Sequence, residues 1–219
     1  MIQKIDNATV REAVQQAYER CKNETGGKNA DYIPYLKNVP SDLFGISVCL
    51  ADGRSVTVGD TELTLRTFVQ GDFHPLKRFL DRLSDKTFYL RFHTSAHLSD
   101  ERICELTSLD YAREGAWALA RDGEIHAVAR WRLTGEHDEA EFGIVVEDAW
   151  QRRGLARVLM AHLEASAARR GVTRFIGHVL KGNEAMQGMM TAMGYVLGEG
   201  DHRDTDPWVK SLSSPVDHL

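Results

Sequence analysis

The 219-residue chain carries 27 basic and 32 acidic residues for a net charge of −5, with 42% hydrophobic and 27% charged residues. That composition supports a packed core under a polar surface. It excludes a nucleic-acid binder that works through a basic face, and no run approaches the ~18 apolar residues of a membrane span. Cys21, Cys49 and Cys104 form no CxxC pair, so they read as reduced thiols of a cytoplasmic protein, and no metal site is expected. Met1 to Thr9 contain no apolar stretch of the kind a secretory signal needs.

The elements follow in chain order. Thr9 can cap a helix, with Glu12 closing a capping box and Val10, Val14, Ala17, Tyr18 and Cys21 on one face. Residues 22–28 (KNETGGK) read as a loop. Two β-rich runs, Phe44 to Leu50 and Arg54 to Gly59, flank an Asp52-Gly53 turn and predict a hairpin. A boundary is expected at Gly59-Asp60-Thr61, giving units 1–61 and 62–212 and a frayed tail, 213–219. Leu63, Leu65, Thr67 and Val69 alternate as in a strand. Asp72 is expected to cap a helix carrying Leu76, Phe79, Leu80 and Leu83, and Ser99 or Asp100 to start another with Ile103 and Leu106. Three strands (Ala116 to Ala120, Ile125 to Leu133, Ala140 to Val146) separated by Asp122-Gly123 and Thr134-Gly135 predict an antiparallel meander. A long helix from Gly154 to Arg170 carries Leu155, Val158, Leu159, His162 and Leu163 on its packed side and stops at Gly171. A strand from Thr173 to Leu180, a Met-rich helix from Asn183 to Met193 and a last strand pair complete an α+β chain with a mixed, mostly antiparallel sheet and flanking helices, plus the small N-terminal helix and hairpin.

The run Glu141 to Ala156 (EFGIVVEDAWQRRGLA) carries the chemistry. An apolar strand enters a turn from which a helix starts, and the unpaired N–H groups of a helix start form an anion site. Gly154 allows close approach of a phosphate, and Arg152 and Arg153 can add charge-assisted hydrogen bonds. Val146, Gln151, Gly154 and Ala156 fill the motif A pattern of the GNAT acetyltransferases, which this run resembles. Asn183-x-x-Met186 and Met193-Gly194-Tyr195 resemble motif B. The resemblance covers about residues 62–212 and implies a GNAT fold that binds acetyl-CoA. Gln151, Arg152, Arg153, Gly154, Leu155 and Ala156 would hold the pyrophosphate, Ile144, Val145 and Val146 the pantetheine arm and thioester, and Asn183 and Met186 would lie against the cofactor.

Within that superfamily, Leu83-Ser84 … Tyr89-Leu90-Arg91-Phe92 and Leu109-Asp110-Tyr111 … Arg113-Glu114-Gly115-Ala116 resemble the LSxx(S/T)xYxRF and DYxRExA stretches of Pat-type protein lysine acetyltransferases. A packing role is expected for these runs, with Tyr89 and Phe92 buried and Arg91 paired nearby. The subgroup implies a protein lysine as acceptor, with a small-molecule amine as the alternative and a non-catalytic acyl-CoA sensor as a reading of another class. A lysine amine is almost wholly protonated near neutral pH, so transfer needs a base. The resemblance places Glu141 in that role, with Glu139, of the same strand parity, behind it. Many GNATs carry a proton-donating tyrosine seven residues after the motif B asparagine; here Met190 stands there, and a thioether donates no proton. Asp201, Asp204 and Asp206 form an acidic loop near the expected acceptor side.

Residues 6–60 resemble the start of bacterial serine β-lactamase-like glutaminases, through Gly27-Lys28 … Asp31-Tyr32-Ile33-Pro34, Pro40-Ser41-Asp42-Leu43-Phe44-Gly45-Ile46 and Asp52-Gly53. The pattern stops before any Ser-x-x-Lys pair, the nucleophile and its activator in that family, so no glutaminase activity is expected. The piece is expected to dock on the GNAT sheet or on a second subunit, as in a homodimer, or to bind a small regulator.

Overall fold

The computed structural model describes residues 6–24, 45–50, 55–59, 63–135, 138–199 and 203–212. The residue 25–44 stretch, the Asp52-Gly53 turn, the boundary at residues 60–62, Asp201 and the tail from 213 lie outside them.

The N-terminal piece has α1 (Asn7–Cys21) and an antiparallel hairpin of β1 (Gly45–Cys49) and β2 (Ser55–Gly59). Asp6, not Thr9, caps α1: its carboxylate accepts from the Thr9 N–H at 2.9 Å and from the Thr9 hydroxyl at 2.8 Å. Aspartate one turn earlier satisfies the free N–H groups and adds charge at the positive helix end. Val10 and Val14 of α1 pack on Val56, with Ile46, Val48 and Val58 around them. This small core docks on the main sheet, where the Ser47, Thr57 and Thr64 hydroxyls meet within 2.5–3.0 Å and Arg11 pairs with Asp122 at 3.2 Å.

The main sheet has seven strands, β3 (Thr64–Thr67), β4 (Glu114–Arg121), β5 (Glu124–Leu133), β6 (Glu139–Val146), β7 (Arg174–Leu180), β8 (Val196–Leu197) and β9 (Thr205–Ser211), in the order β3-β4-β5-β6-β7-β9-β8. All neighbours are antiparallel except β6 and β7. The β4–β5 turn is the Asp-Gly pair, Asp122 and Gly123 both at positive φ (50° and 84°), the geometry of a two-residue hairpin turn.

One face is covered by α5 (Leu155–Ala168) and α6 (Glu184–Ala192), which bury Leu159, Met160, Leu163 and Met190 against Trp131, Ala140 and Phe175. The other carries α2 (Phe73–Asp81), α3 (Asp85–Phe92) and α4 (Asp100–Thr107), with Leu76, Phe79, Phe88 and Ile103 over Ala116, Ile125 and Val145. Two side chains depart from expectation. Asp72 does not cap α2 through its carboxylate; a nearby cation outcompetes the helix start, and buried Arg66 binds both oxygens at 2.6 and 2.7 Å. His162 stays exposed, edge-on to Trp117 at 5.9 Å, because the α5 core stripe runs through Leu159, Leu163 and Ser166, where Ser166 accepts from the buried Trp131 indole at 3.2 Å. The helix α3 itself has little apolar patterning, burying only Phe88.

Candidate acyl-CoA site

The site lies where the sheet opens. The parallel ladder holds for Glu139↔Arg174, Ala140↔Phe175 and Glu141↔Ile176 and then ends, although β6 continues to Val146 and β7 to Leu180. The Phe142 ring packs on the α5–α6 face beside the fork, against Phe175 at 4.9 Å and Tyr195 at 5.5 Å and over Gly177, where any Cβ would fall 2.3 Å from it.

Backbone groups alternate sides along a strand. Glu139 C=O and Glu147 N–H turn toward β5, accepting from Thr134 and donating to His126 C=O, while Asp138 C=O accepts from Thr173 and Arg174 on the β7 side. By that parity Ile144 N–H and C=O and Val146 N–H turn to the open fork, the Val146 C=O being engaged by the Gln151 side chain, whereas Val145 faces β5 and buries its side chain under α2 to α4. An extended amide chain fits the fork as a substitute strand.

Beyond β6, a short 3-10 turn at Asp148–Trp150 leads into Gln151 to Gly154 and the start of α5. Arg152 and Gly154 both sit at positive φ (63° and 82°), which gathers successive N–H groups into an anion-binding concavity. Glycine occupies the helix N-cap without a side-chain hydrogen bond. Among the described residues the N–H groups of Arg152, Gly154, Leu155 and Ala156 meet no backbone acceptor, which leaves four donors at a positive helix end. Arg153 instead stacks its guanidinium over Trp150, 4.7 Å from the ring centre.

A bracing network that the sequence did not disclose fixes this loop. Asp148 accepts from Ser84 N–H at 2.9 Å, Ser84 Oγ at 2.7 Å and Thr87 Oγ1 at 2.7 Å. Burial acts to raise its carboxyl pKa, yet these hydrogen bonds hold it below the usual aspartate value. The Gln151 side chain donates to Val146 C=O at 3.0 Å and to Thr87 Oγ1 at 3.2 Å. Ser84 and Thr87, the serine and threonine of the LSxx(S/T) run, thus clamp the loop to the α3 start, where Asp148 also faces a positive helix end. The spacing within that run was the available signal, but not what it gripped.

Asn183 caps α6 with its side-chain oxygen accepting from Met186 N–H at 3.2 Å, and Met186 packs at the edge of the core. Tyr195 donates to Glu164 at 2.8 Å, and Lys210 meets the same carboxylate at 2.7 Å, which ties α5 to β9; burial, then the Glu164 charge, raise the Tyr195 pKa.

On the α2–α4 side the base candidates separate. Glu139 is held by Arg174 at 2.6 Å and by Thr134 Oγ1 at 2.9 Å. Glu141 stands at the last rung of the ladder with its side chain half-exposed and His178 Nε2 3.3 Å away. Tyr89 is 47% exposed, contrary to expectation; α3 directs it outward and Phe88 inward. Among the described residues Arg91 is paired with no carboxylate: its guanidinium lies on Gly143 in a cleft, partly open to solvent, between the sheet and α2 to α4. Desolvation, with Arg130 and Arg102 adding repulsion, lowers its pKa to about 10. His93, left-handed at the α3 C-cap (φ 55°), has its pKa lowered by burial and by Arg91 and His178.

Comparison with known proteins adds relatives for both parts. The acetyltransferase (GNAT) family model matches residues 78–195, and the glutaminase model matches residues 27–68. The GNAT domain of S. lividans PAT superposes with a TM-score of 0.65 at 28% identity, over 77% of this chain and 97% of that one. Spermidine N-acetyltransferase from Vibrio cholerae, solved with CoA and spermine, shares the fold at a TM-score of 0.57 and 17% identity, over 70% of this chain and 97% of that one. A glutaminase from Bacteroides fragilis is 62% identical over 60 residues, 27% of this chain and 19% of that protein. The chain therefore spans about a fifth of the glutaminase length.

Proposed function

The chain belongs to the acetyltransferase (GNAT) family, and from that premise we propose that it transfers the acetyl group of acetyl-CoA to a primary amine, with a protein lysine as the acceptor. The observation that carries the reading is the coincidence of an open strand edge at Ile144 and Val146 with the N–H donors of Arg152, Gly154, Leu155 and Ala156, one extended-amide site leading into one anion site. Acetyl-CoA combines those chemistries, a diphosphate joined to an amide-bearing arm that ends in a thioester. Gln151 and Asp148 keep the loop in shape, Arg152 and Arg153 add positive charge at its rim, and Asn183 and Met186 border the coenzyme side.

Glu141 is the proposed base. It is exposed enough to meet an incoming ammonium group, and it stands at the rung where the strands part. Glu139 is already engaged by Arg174, which favours Glu141 between the two. Holding amine and thioester together removes much of the entropic part of the barrier. The lysine preference is supported by the likeness to the S. lividans PAT domain. An amine such as the spermine bound by the V. cholerae enzyme is the alternative.

The test is Glu141→Gln. Acetyl-CoA affinity, measured by calorimetry, should stay within twofold, while transfer to lysine peptides should fall at least tenfold, in line with the ~10²–10⁴ typical of general-base catalysis. Unchanged transfer would dismiss Glu141, and tight acetyl-CoA binding by a wild-type chain that acetylates no amine would replace the enzyme reading with that of a sensor.

A further inference from the structure

The face of β6 turned toward α2 to α4 carries a positive charge that no described carboxylate answers. Arg91 lays its guanidinium on Gly143 so closely that a Cβ there would fall 2.1 Å from Nη2 and 2.4 Å from Cζ. The surrounding cleft is lined by Phe68, Leu76, Phe79, Phe92 and Val128, and the Phe92 ring centre is 5.2 Å from Cζ. Arg130 lines the same cleft, but Glu114 neutralises it at 2.6 Å. The charges that bear on Arg91 are those of Arg130 and Arg102, both of its own sign. A guanidinium among apolar side chains without a counter-charge is costly unless an anion arrives or develops beside it.

Two features place that charge at the chemistry. Gly143 lies one strand repeat from Glu141 on the same face, ~7 Å along β6, and immediately before Ile144, whose main chain faces the fork. The absence of a side chain at residue 143 is what lets the guanidinium reach the strand.

We propose that Arg91 is a catalytic residue that stabilises the oxyanion of the transfer, a reading that rests on the acetyl-CoA function above. Glu141 takes a proton from the incoming ammonium, and the freed lone pair on nitrogen attacks the thioester carbon while the C=O π pair moves onto oxygen beside the guanidinium. The carbonyl then re-forms, the C–S bond breaks with its electron pair on sulfur, and the second proton leaving nitrogen is relayed through water to the thiolate. A guanidinium stabilises the charge without giving up a proton, which suits a site whose usual tyrosine position holds Met190.

The experiment compares full-length wild-type chain with Arg91→Gln, Arg91→Lys and Gly143→Ala. Acetyl-CoA binding is read by calorimetry, and transfer to a lysine-peptide mixture by CoA release. Arg91→Gln should lower kcat about a hundredfold, as loss of an oxyanion donor does, with KM and acetyl-CoA Kd within twofold; Arg91→Lys should recover part of the loss. Gly143→Ala keeps the charge but displaces it, and should lower kcat with an unchanged melting profile, so the test survives if Arg91→Gln does not fold. Retained kcat in both Arg91→Gln and Gly143→Ala overturns the assignment. So does a loss that appears equally in acetyl-CoA binding, which would make Arg91 structural. A wild-type preference for succinyl-CoA over acetyl-CoA that vanishes in Arg91→Gln would also overturn it, giving the charge to an acyl carboxylate. A wild-type chain that neither binds acetyl-CoA nor transfers its acetyl group brings down the parent reading as well, whereas normal transfer by both wild type and Arg91→Gln removes Arg91 alone.

Discussion

Asp148→Ala tests whether the proposed phosphate loop is shaped in advance. The aspartate accepts three hydrogen bonds from Ser84 and Thr87, joining residues more than sixty positions apart. A charge-assisted bond contributes ~1.5–3 kcal/mol when buried, but Asp148 is exposed, and screening reduces each to ~0.5–1 kcal/mol. The three together are worth about 2 kcal/mol, and at ~2–4 °C per kcal/mol for a chain of this size the melting temperature should fall by about 4–8 °C. If the ligand must then order the loop itself, acetyl-CoA affinity should weaken by about tenfold or more, since ~1.4 kcal/mol corresponds to a factor of ten. The pH dependence has a definite sign. The folded-state pKa is depressed, so the stabilisation is complete above the ordinary aspartate value and is lost as pH falls through the lower folded one. Wild type and variant should therefore differ in melting temperature by a constant amount from neutral pH down to about 5 and converge below about 4. Scanning fluorimetry and calorimetry read both quantities. Identical melting temperature and affinity at neutral pH would mean that the loop holds its shape without this brace.

Two further outcomes follow from packing and charge. Gly154→Glu places a side chain and a negative charge where those four N–H groups lie and demands φ 82° of a non-glycine residue; acetyl-CoA binding should drop below detection, and unchanged affinity would refute the loop assignment. Asp72→Asn leaves Arg66, 2% exposed and paired with Asp72 at 2.6 Å, as a buried cation; a loss of about 3–5 kcal/mol is expected, readable as a lower midpoint in urea, and a shift under 1 kcal/mol would show that water reaches the guanidinium.

Sequence reasoning succeeded where structure is written locally. The Asp122-Gly123 turn, the stop at Gly171 and the alternation along β5 and β6 each follow from backbone preferences within a few residues, and the turn from strand to helix falls between Val146 and Leu155 as the residue pattern there predicts. It failed where distant residues decide. Asp72 looks like a helix cap until Arg66 arrives from the preceding strand, and α3 has a serine cap but almost no apolar stripe to announce it. The bond between Asp148 and Ser84 spans 64 positions. Likewise Arg91 meets Gly143 only because α3 crosses the sheet, so its solitude could not be seen in a run that suggested a paired arginine.

The early parting of β6 and β7 has a mechanical consequence. Among the described residues the ladder that joins β6, and with it the half of the sheet from β3, to the half formed by β7, β9 and β8 has three residue pairs. The two leaves meet like the covers of a book whose spine is stitched at one end. With α5 bridging both leaves from one face, a slender molecule lying in the gap would supply the missing stitches and stiffen the joint.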